Sequence, residues 1–138
     1  MALKLILKPH EQVIIGGAVI KNGNGRSELF IENNVPILRQ KDILNVQDAD
    51  SPCKRVYLSI QLMYVDENNL AEYHKIYWDL VRDIVRASPT VMNLLDQISE
   101  NILCNRYYQA LKLARRLIDY EQVLLQEAQE SCSVVKRT

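Results

Sequence analysis

The spacing of apolar residues changes once along this chain, near residues 44–52, and that change does most to limit what it can fold into. Leu3, Leu5 and Leu7 alternate with Lys4, Ile6 and Lys8, the period of two expected of a half-buried strand. Gln12-Val13-Ile14-Ile15 is a short apolar run closed by Gly16-Gly17, and Ala18-Val19-Ile20 follows. Asn22-Gly23-Asn24-Gly25 reads as the strongest turn in the chain, because Asn and Gly tolerate the positive φ of tight hairpins. Glu28 to Glu32 returns as a strand, Asn33-Asn34 turns again, and Pro36-Ile37-Leu38-Arg39 adds a last short one. Such short strands cannot bury both faces of a sheet by themselves. They require a partner layer, from the rest of the chain or from another copy.

Beyond the change the period is that of helices. Ser51-Pro52 and Ser88-Pro89 each read as an N-cap followed by proline at the first helical position, where the missing N–H costs nothing. The first helix carries Val56, Ile60, Met63 and Tyr64 on one stripe, and Asp66-Glu67-Asn68-Asn69 breaks it. The second carries Leu70, Tyr73, Tyr77, Leu80, Val81 and Ile84, and the third Met92, Leu95, Ser99 and Ile102. A last long stretch carries Tyr107, Leu111, Ala114, Ile118 and Leu125, with a joint near Asn101 to Asn105 that no proline or glycine marks. The expected fold class is α+β. A small antiparallel β-sheet over 1–48 is followed by a bundle of three or four helices over 49–130, and 131–138 reads as a disordered tail.

At 138 residues with 48% apolar and 25% charged composition, the chain reads as a folded globular protein. Seventeen basic residues balance seventeen acidic ones. Any nucleic-acid contact must therefore come from a local patch rather than a polybasic arm. No apolar run approaches the roughly 18 residues of a membrane helix, and the N-terminus lacks the pattern of a secretory signal. The three cysteines, Cys53, Cys104 and Cys132, are widely spaced. They give neither a disulfide framework nor a metal pair, and they point to a reducing cytoplasm.

Enzyme chemistry has little to stand on. His10 and His74 are the only histidines, and their ordinary roles are in a turn and on a solvated helix face. Asn22 to Gly25 lacks the pattern of a phosphate loop and sits between strands. No metal, cofactor or catalytic group is expected. Two basic clusters remain: Lys4, Lys8, Arg26, Arg39 and Lys41 in the strand half, and Lys112, Arg115 and Arg116 on the last helix. Each is ordinary surface unless it meets phosphate, to which arginine's planar fork is suited. Tyrosines can stack on unpaired bases, although Tyr73, Tyr77 and Tyr107 fall on apolar stripes and serve a core.

The strand half resembles the CsrA-type RNA-binding regulators. The shared pattern is Leu3-x-Leu5, Glu11-x-x-x-Ile15-Gly16, Val19, a turn, Leu29-x-Ile31, Asn34-x-Pro36, then Arg39 and Ile43. That resemblance implies intertwined dimers in which the first and last strands frame an RNA site with a central arginine, matched here by Arg39. The chain departs from the pattern in having only two residues between Pro36 and Arg39.

From Met1 to about Glu130 the chain also resembles the FlbT-type flagellar regulators. The matching runs are Met1-Ala2-Leu3-Lys4, Ile14 to Gly23, Leu29-Phe30-Ile31-Glu32 and Pro36 to Leu44. They continue with Lys54-Arg55-Val56-Tyr57, Gln61-Leu62-Met63-Tyr64, Tyr107 to Lys112 and Tyr120-Glu121. This resemblance implies binding to the 5′ untranslated leader of flagellin mRNA and repression of its translation or lifetime, beside a FlaF-type partner protein.

Two functions are therefore expected in competition. One is an RNA-binding repressor contacting the flagellin leader through Lys4, Lys8, Arg26, Arg39 and Lys41, with Lys112, Arg115 and Arg116 as secondary candidates. The other is an adaptor that binds flagellin or a FlaF-type protein and acts on the mRNA indirectly. A homodimer is expected from the uncovered strand edges, and neither membrane nor DNA is expected as a partner. Arg39 is expected to project to solvent beside the first strand. On that reading Arg39→Ala weakens RNA binding by about 1–3 kcal/mol and leaves the melting temperature nearly unchanged.

Overall fold

The structure, a computed structural model, describes residues 2–137 and the side chains of residues 2–129. Five strands come first: β1 (Leu3–Leu7), β2 (Gln12–Ile15), β3 (Ala18–Lys21), β4 (Ser27–Ile31) and β5 (Ile37–Arg39). Four helices follow: α1 (Pro52–Val65), α2 (Leu70–Ala87), α3 (Met92–Leu103) and α4 (Tyr107–Arg137). The α+β class read from the sequence holds. The expected tail at 131–138 lies outside the residues whose side chains are described.

The strands form two sheets rather than one. β1 pairs with β4 as an antiparallel ribbon, and β3, β2 and β5 form a second sheet in that order. Alternation explains the stacking. Val13 on β2 joins Leu5 and Leu7 of β1 in one small core, with Ile15, Ile20, Leu29, Ile31 and Ile37 packed around it. Ile14 and Leu38, opposite each other in the β2–β5 register, point the other way into the helical core. The β3-β2-β5 sheet is thus a middle layer, with the ribbon on one face and the helices on the other.

The tight hairpin is not at Asn22–Gly25. It is at Gly16-Gly17, which joins paired strands β2 and β3 with φ of 57° and 88°, the left-handed conformation of a two-residue hairpin loop. A Cβ on Gly17 would also lie 3.1 Å from the carbonyl oxygen of Val65 at the end of α1. Asn22 instead braces a connection between the two sheets. Its Nδ2 donates to the carbonyl oxygens of Leu7, Lys8 and Gly25 at 3.3, 2.8 and 2.9 Å.

α1 is the hub of the helical half. Val56, Ile60 and Met63 are almost wholly buried, and truncating such a side chain to Ala costs about 2–5 kcal/mol. Ser51 caps α1 as expected, its hydroxyl accepting from the Lys54 N–H at 3.3 Å. Glu121 of α4 reaches the same end, accepting from the Ser51 hydroxyl and from the Cys53 N–H. A carboxylate there complements both the orphan N–H groups and the helix dipole. Ser88 caps no N–H; a short 3₁₀ turn, Pro89–Val91, intervenes before α3. The joint between α3 and α4 is made by Asn105 at φ 60°, an αL stop that asparagine supplies where glycine is absent.

Candidate nucleic-acid interface

The connection after β5 positions the site. Arg39 ends β5, a 3₁₀ turn covers Gln40–Asp42, and the segment to α1 is stitched down by side chains of α1. The Gln61 amide brackets Leu44, accepting from its N–H at 2.8 Å and donating to its carbonyl at 3.1 Å. The Tyr57 hydroxyl donates to the Asp42 carbonyl at 2.6 Å. From α4, Arg115 donates to the Lys41 carbonyl at 3.4 Å and to the Tyr57 hydroxyl at 3.3 Å, its guanidinium 5.0 Å from the Tyr57 ring centre. The turn that carries Lys41 is therefore fixed against α1 and α4.

Two depressions meet at this turn. One, of about 730 Å³, lies between the β1–β2 turn and the end of β5 and is lined by Lys8, His10, Glu11, Arg39 and Lys41. The β1–β2 turn is shaped by Pro9 and by His10 at φ 63°, and closed by the Glu11 N–H donating to Lys8. The other, of about 300 Å³, lies between the 3₁₀ turn and α4 and is lined by Lys41, Tyr57, Tyr108, Lys112 and Arg115. Lys41 belongs to both. The two basic clusters of the sequence are thus parts of one surface band. Among the described residues, Lys8, Lys41, Lys112 and Arg115 have no carboxylate within ion-pair distance.

Arg39 sits differently from expectation. It shares the Val13 face of the middle sheet, so it points at the ribbon. Its Nη2 donates to the Ile6 carbonyl at 2.7 Å and to the Glu11 carboxylate at 3.2 Å. The side chain keeps 39% of its surface exposed. Glu11 also accepts from the Lys8 N–H at 2.9 Å. That backbone bond, with the Arg39 charge, outweighs the cost of its burial and holds its carboxyl below the ordinary value.

The other expected contacts divide. Lys4 points to the outer face of the ribbon and pairs with Glu28 at 3.2 Å. Arg26 is exposed on the connection before β4, and Arg116 is exposed on α4 beside Arg115; neither lines the two depressions. β1 and β5 belong to different sheets. The frame implied by the CsrA-type resemblance is met only through the Arg39 side chain, which crosses from β5 to β1.

Sequence reasoning missed Tyr108 and His10. Tyr108 is 39% exposed, with the Lys112 ammonium 4.8 Å from its ring centre. The signal was present: residues four apart on a helix share a face. His10 was recognisable only as a turn residue. Among the described residues no group of His, Cys, Asp and Glu side chains is arranged to hold a metal ion. No helix among them is long and apolar enough to cross a membrane.

Residues 3–125 match the family described as flagellar protein FlbT. A Bradyrhizobium diazoefficiens protein named "Probable flagellum biosynthesis repressor protein FlbT 1" is 49% identical over 125 residues, covering 90% of this chain and 85% of that one. A Rhodopseudomonas palustris relative with the corresponding name is 38% identical, covering 91% and 98%. The Caulobacter vibrioides protein named "Flagellum biosynthesis repressor protein FlbT" is 34% identical, covering 88% and 87%. No solved structure matches the chain.

Proposed function

The chain belongs to the FlbT family of flagellar proteins, and from that premise we propose that it represses flagellum biosynthesis by binding the 5′ untranslated leader of flagellin mRNA. The observation that carries this reading is the convergence of Lys8, Arg39 and Lys41 with Lys112 and Arg115 along one band, on a chain of zero net charge. Arg39 is shared with Glu11, but Lys8, Lys41, Lys112 and Arg115 make no ion pair among the described residues. Such clustered cations release counterions when they meet phosphates, so affinity falls steeply with salt. On this reading the protein acts by occupying the leader.

Fluorescence anisotropy of the purified chain with its flagellin leader RNA tests this. Expected is saturable binding that weakens with salt and is lost in Lys41→Ala/Lys112→Ala. No binding at low salt overturns the reading.

A second reading, the adaptor, is favoured by an apolar groove lined by Pro52, Ile84, Ala87, Val91, Tyr120 and Leu124. Val123 and Leu125, the neighbours of Leu124 in the α4 sequence, are each half exposed. A FlaF-type protein or flagellin would lay an apolar helix there. Repression that needs such a protein, with no RNA bound by this chain alone, selects that reading.

A further inference from the structure

Tyr108 lines two clefts, the one beside Lys112 and Arg115 and a second of about 310 Å³ that also takes in Ile37, Arg39 and Tyr64. Lys41 and Asp42 line both as well. The Tyr108 ring is held between neighbours: Lys112 over it, and the Tyr64 ring 6.2 Å away at a 43° tilt. A tyrosine left 39% exposed at the first turn of a helix, with its ring orientation set by packing, is a prepared stacking surface rather than a loose side chain.

The charges around it are mixed. A cleft meant for phosphate alone would not carry a carboxylate, yet Asp42 stands in both clefts. Among the described residues its carboxylate makes no ion pair, and its main-chain carbonyl already accepts from Tyr57. A carboxylate repels phosphate but accepts an N–H from a base edge. Aromatic face, carboxylate and flanking cations together suit a nucleotide whose base is free. Paired and stacked bases do not offer their faces, and sequence-specific RNA recognition draws on splayed single-stranded bases for this reason. Each cleft, at about 300 Å³, is at the small end of ligand sites, a size for one nucleotide rather than the side of a duplex.

We propose that Tyr108 stacks on one unpaired base of the bound RNA. Asp42 accepts from an exocyclic amine of that base, and Lys41, Lys112 and Arg115 hold the adjoining phosphates, so that the protein reads single-stranded RNA. This rests on the RNA-binding function proposed above and adds to it the form of RNA that is bound.

The test compares a single-stranded segment of the flagellin leader with the same segment fully paired in a hairpin, using the full chain and its Tyr108→Ala, Tyr108→Leu and Tyr108→Phe variants. The single strand is expected to bind and the paired form to bind at least tenfold more weakly. Tyr108→Ala and Tyr108→Leu are each expected to lose about tenfold in affinity. Leu keeps the apolar bulk and removes only the π face, so its loss separates stacking from packing; Phe is expected to stay near wild type. A 2-aminopurine placed in the bound segment is expected to be quenched by the wild type and not by Tyr108→Leu. If the wild type binds no leader RNA in either form, the functional reading fails and this inference with it. If it binds, but the hairpin binds as tightly or Tyr108→Leu is unaffected, this inference alone fails.

Discussion

The carbonyl oxygen of Ile6 accepts a 2.7 Å hydrogen bond from Nη2 of Arg39, so a side chain of the middle sheet is anchored on the outer ribbon. Arg39 therefore serves the fold as well as the surface. Arg39→Ala is expected to lower stability by about 1–2 kcal/mol, the lower part of the range for a hydrogen bond to a charged group, because the side chain is partly solvated. A fall of a few degrees in the thermal midpoint by circular dichroism checks this. This replaces the expectation of an unchanged melting temperature, because exposure judged from alternation alone does not see a partner across the sheet stack.

Gln61 is 5% exposed and satisfies both backbone groups of Leu44. Gln61→Leu keeps the bulk and leaves a partly buried N–H and C=O of Leu44 without their side-chain partner. The expected cost is about 2–4 kcal/mol. Denaturant unfolding should show a lower midpoint with an unchanged slope. A variant as stable as wild type would show that the connection does not depend on this bracket.

Burial, and then the Glu121 carboxylate beside it, push the Cys53 thiol up to about 12. The thiolate is the reactive species, so Cys53 stays inert at neutral pH. In a Cys104→Ser/Cys132→Ser protein, a thiol reagent at pH 8 is expected to label Cys53 only after denaturant is added. Rapid labelling of the native protein would refute the burial of this site.

Because the Glu11 carboxyl is held below its ordinary value of 4.5 by the Lys8 N–H and by Arg39, the folded chain binds this proton less readily than the unfolded chain. Stability from Glu11 is fully present above about pH 4.5 and is lost as pH falls through the depressed value. Glu11→Gln is expected to be less stable than wild type at pH 7, with the gap closing in acid. Parallel stability curves for the two proteins from pH 7 to 3 would exclude this linkage.

Much of the fold was legible because periodicity reports faces directly. The two periods located the strands and helices, and Ser51-Pro52 marked the start of α1 to the residue. Pairing was not legible. Nothing in the strand β4 segment says that it pairs with β1 rather than with β3, because the choice is set by which faces two sheets bury together. Turn chemistry misled at Asn22, whose amide bridges carbonyls instead of making a hairpin, and it was under-read at Gly16-Gly17 and Asn105. Of the basic residues, Lys8, Arg39 and Lys41 come together with Lys112 and Arg115. Lys4 is drawn off by Glu28, a cross-ribbon neighbour that only the register reveals.

The middle layer also sets an order of events during synthesis. Ile14 and Leu38 belong to a core whose other members lie mainly on the helices, yet the ribosome delivers them first. Until α1 emerges, the β3-β2-β5 sheet has one apolar face with nothing to meet. The strand half then depends on timely arrival of the helical half, or on a chaperone in the interval. A chain stalled after residue 48 would present that bare face to its neighbours, and aggregation rather than a free-standing sheet is its expected fate.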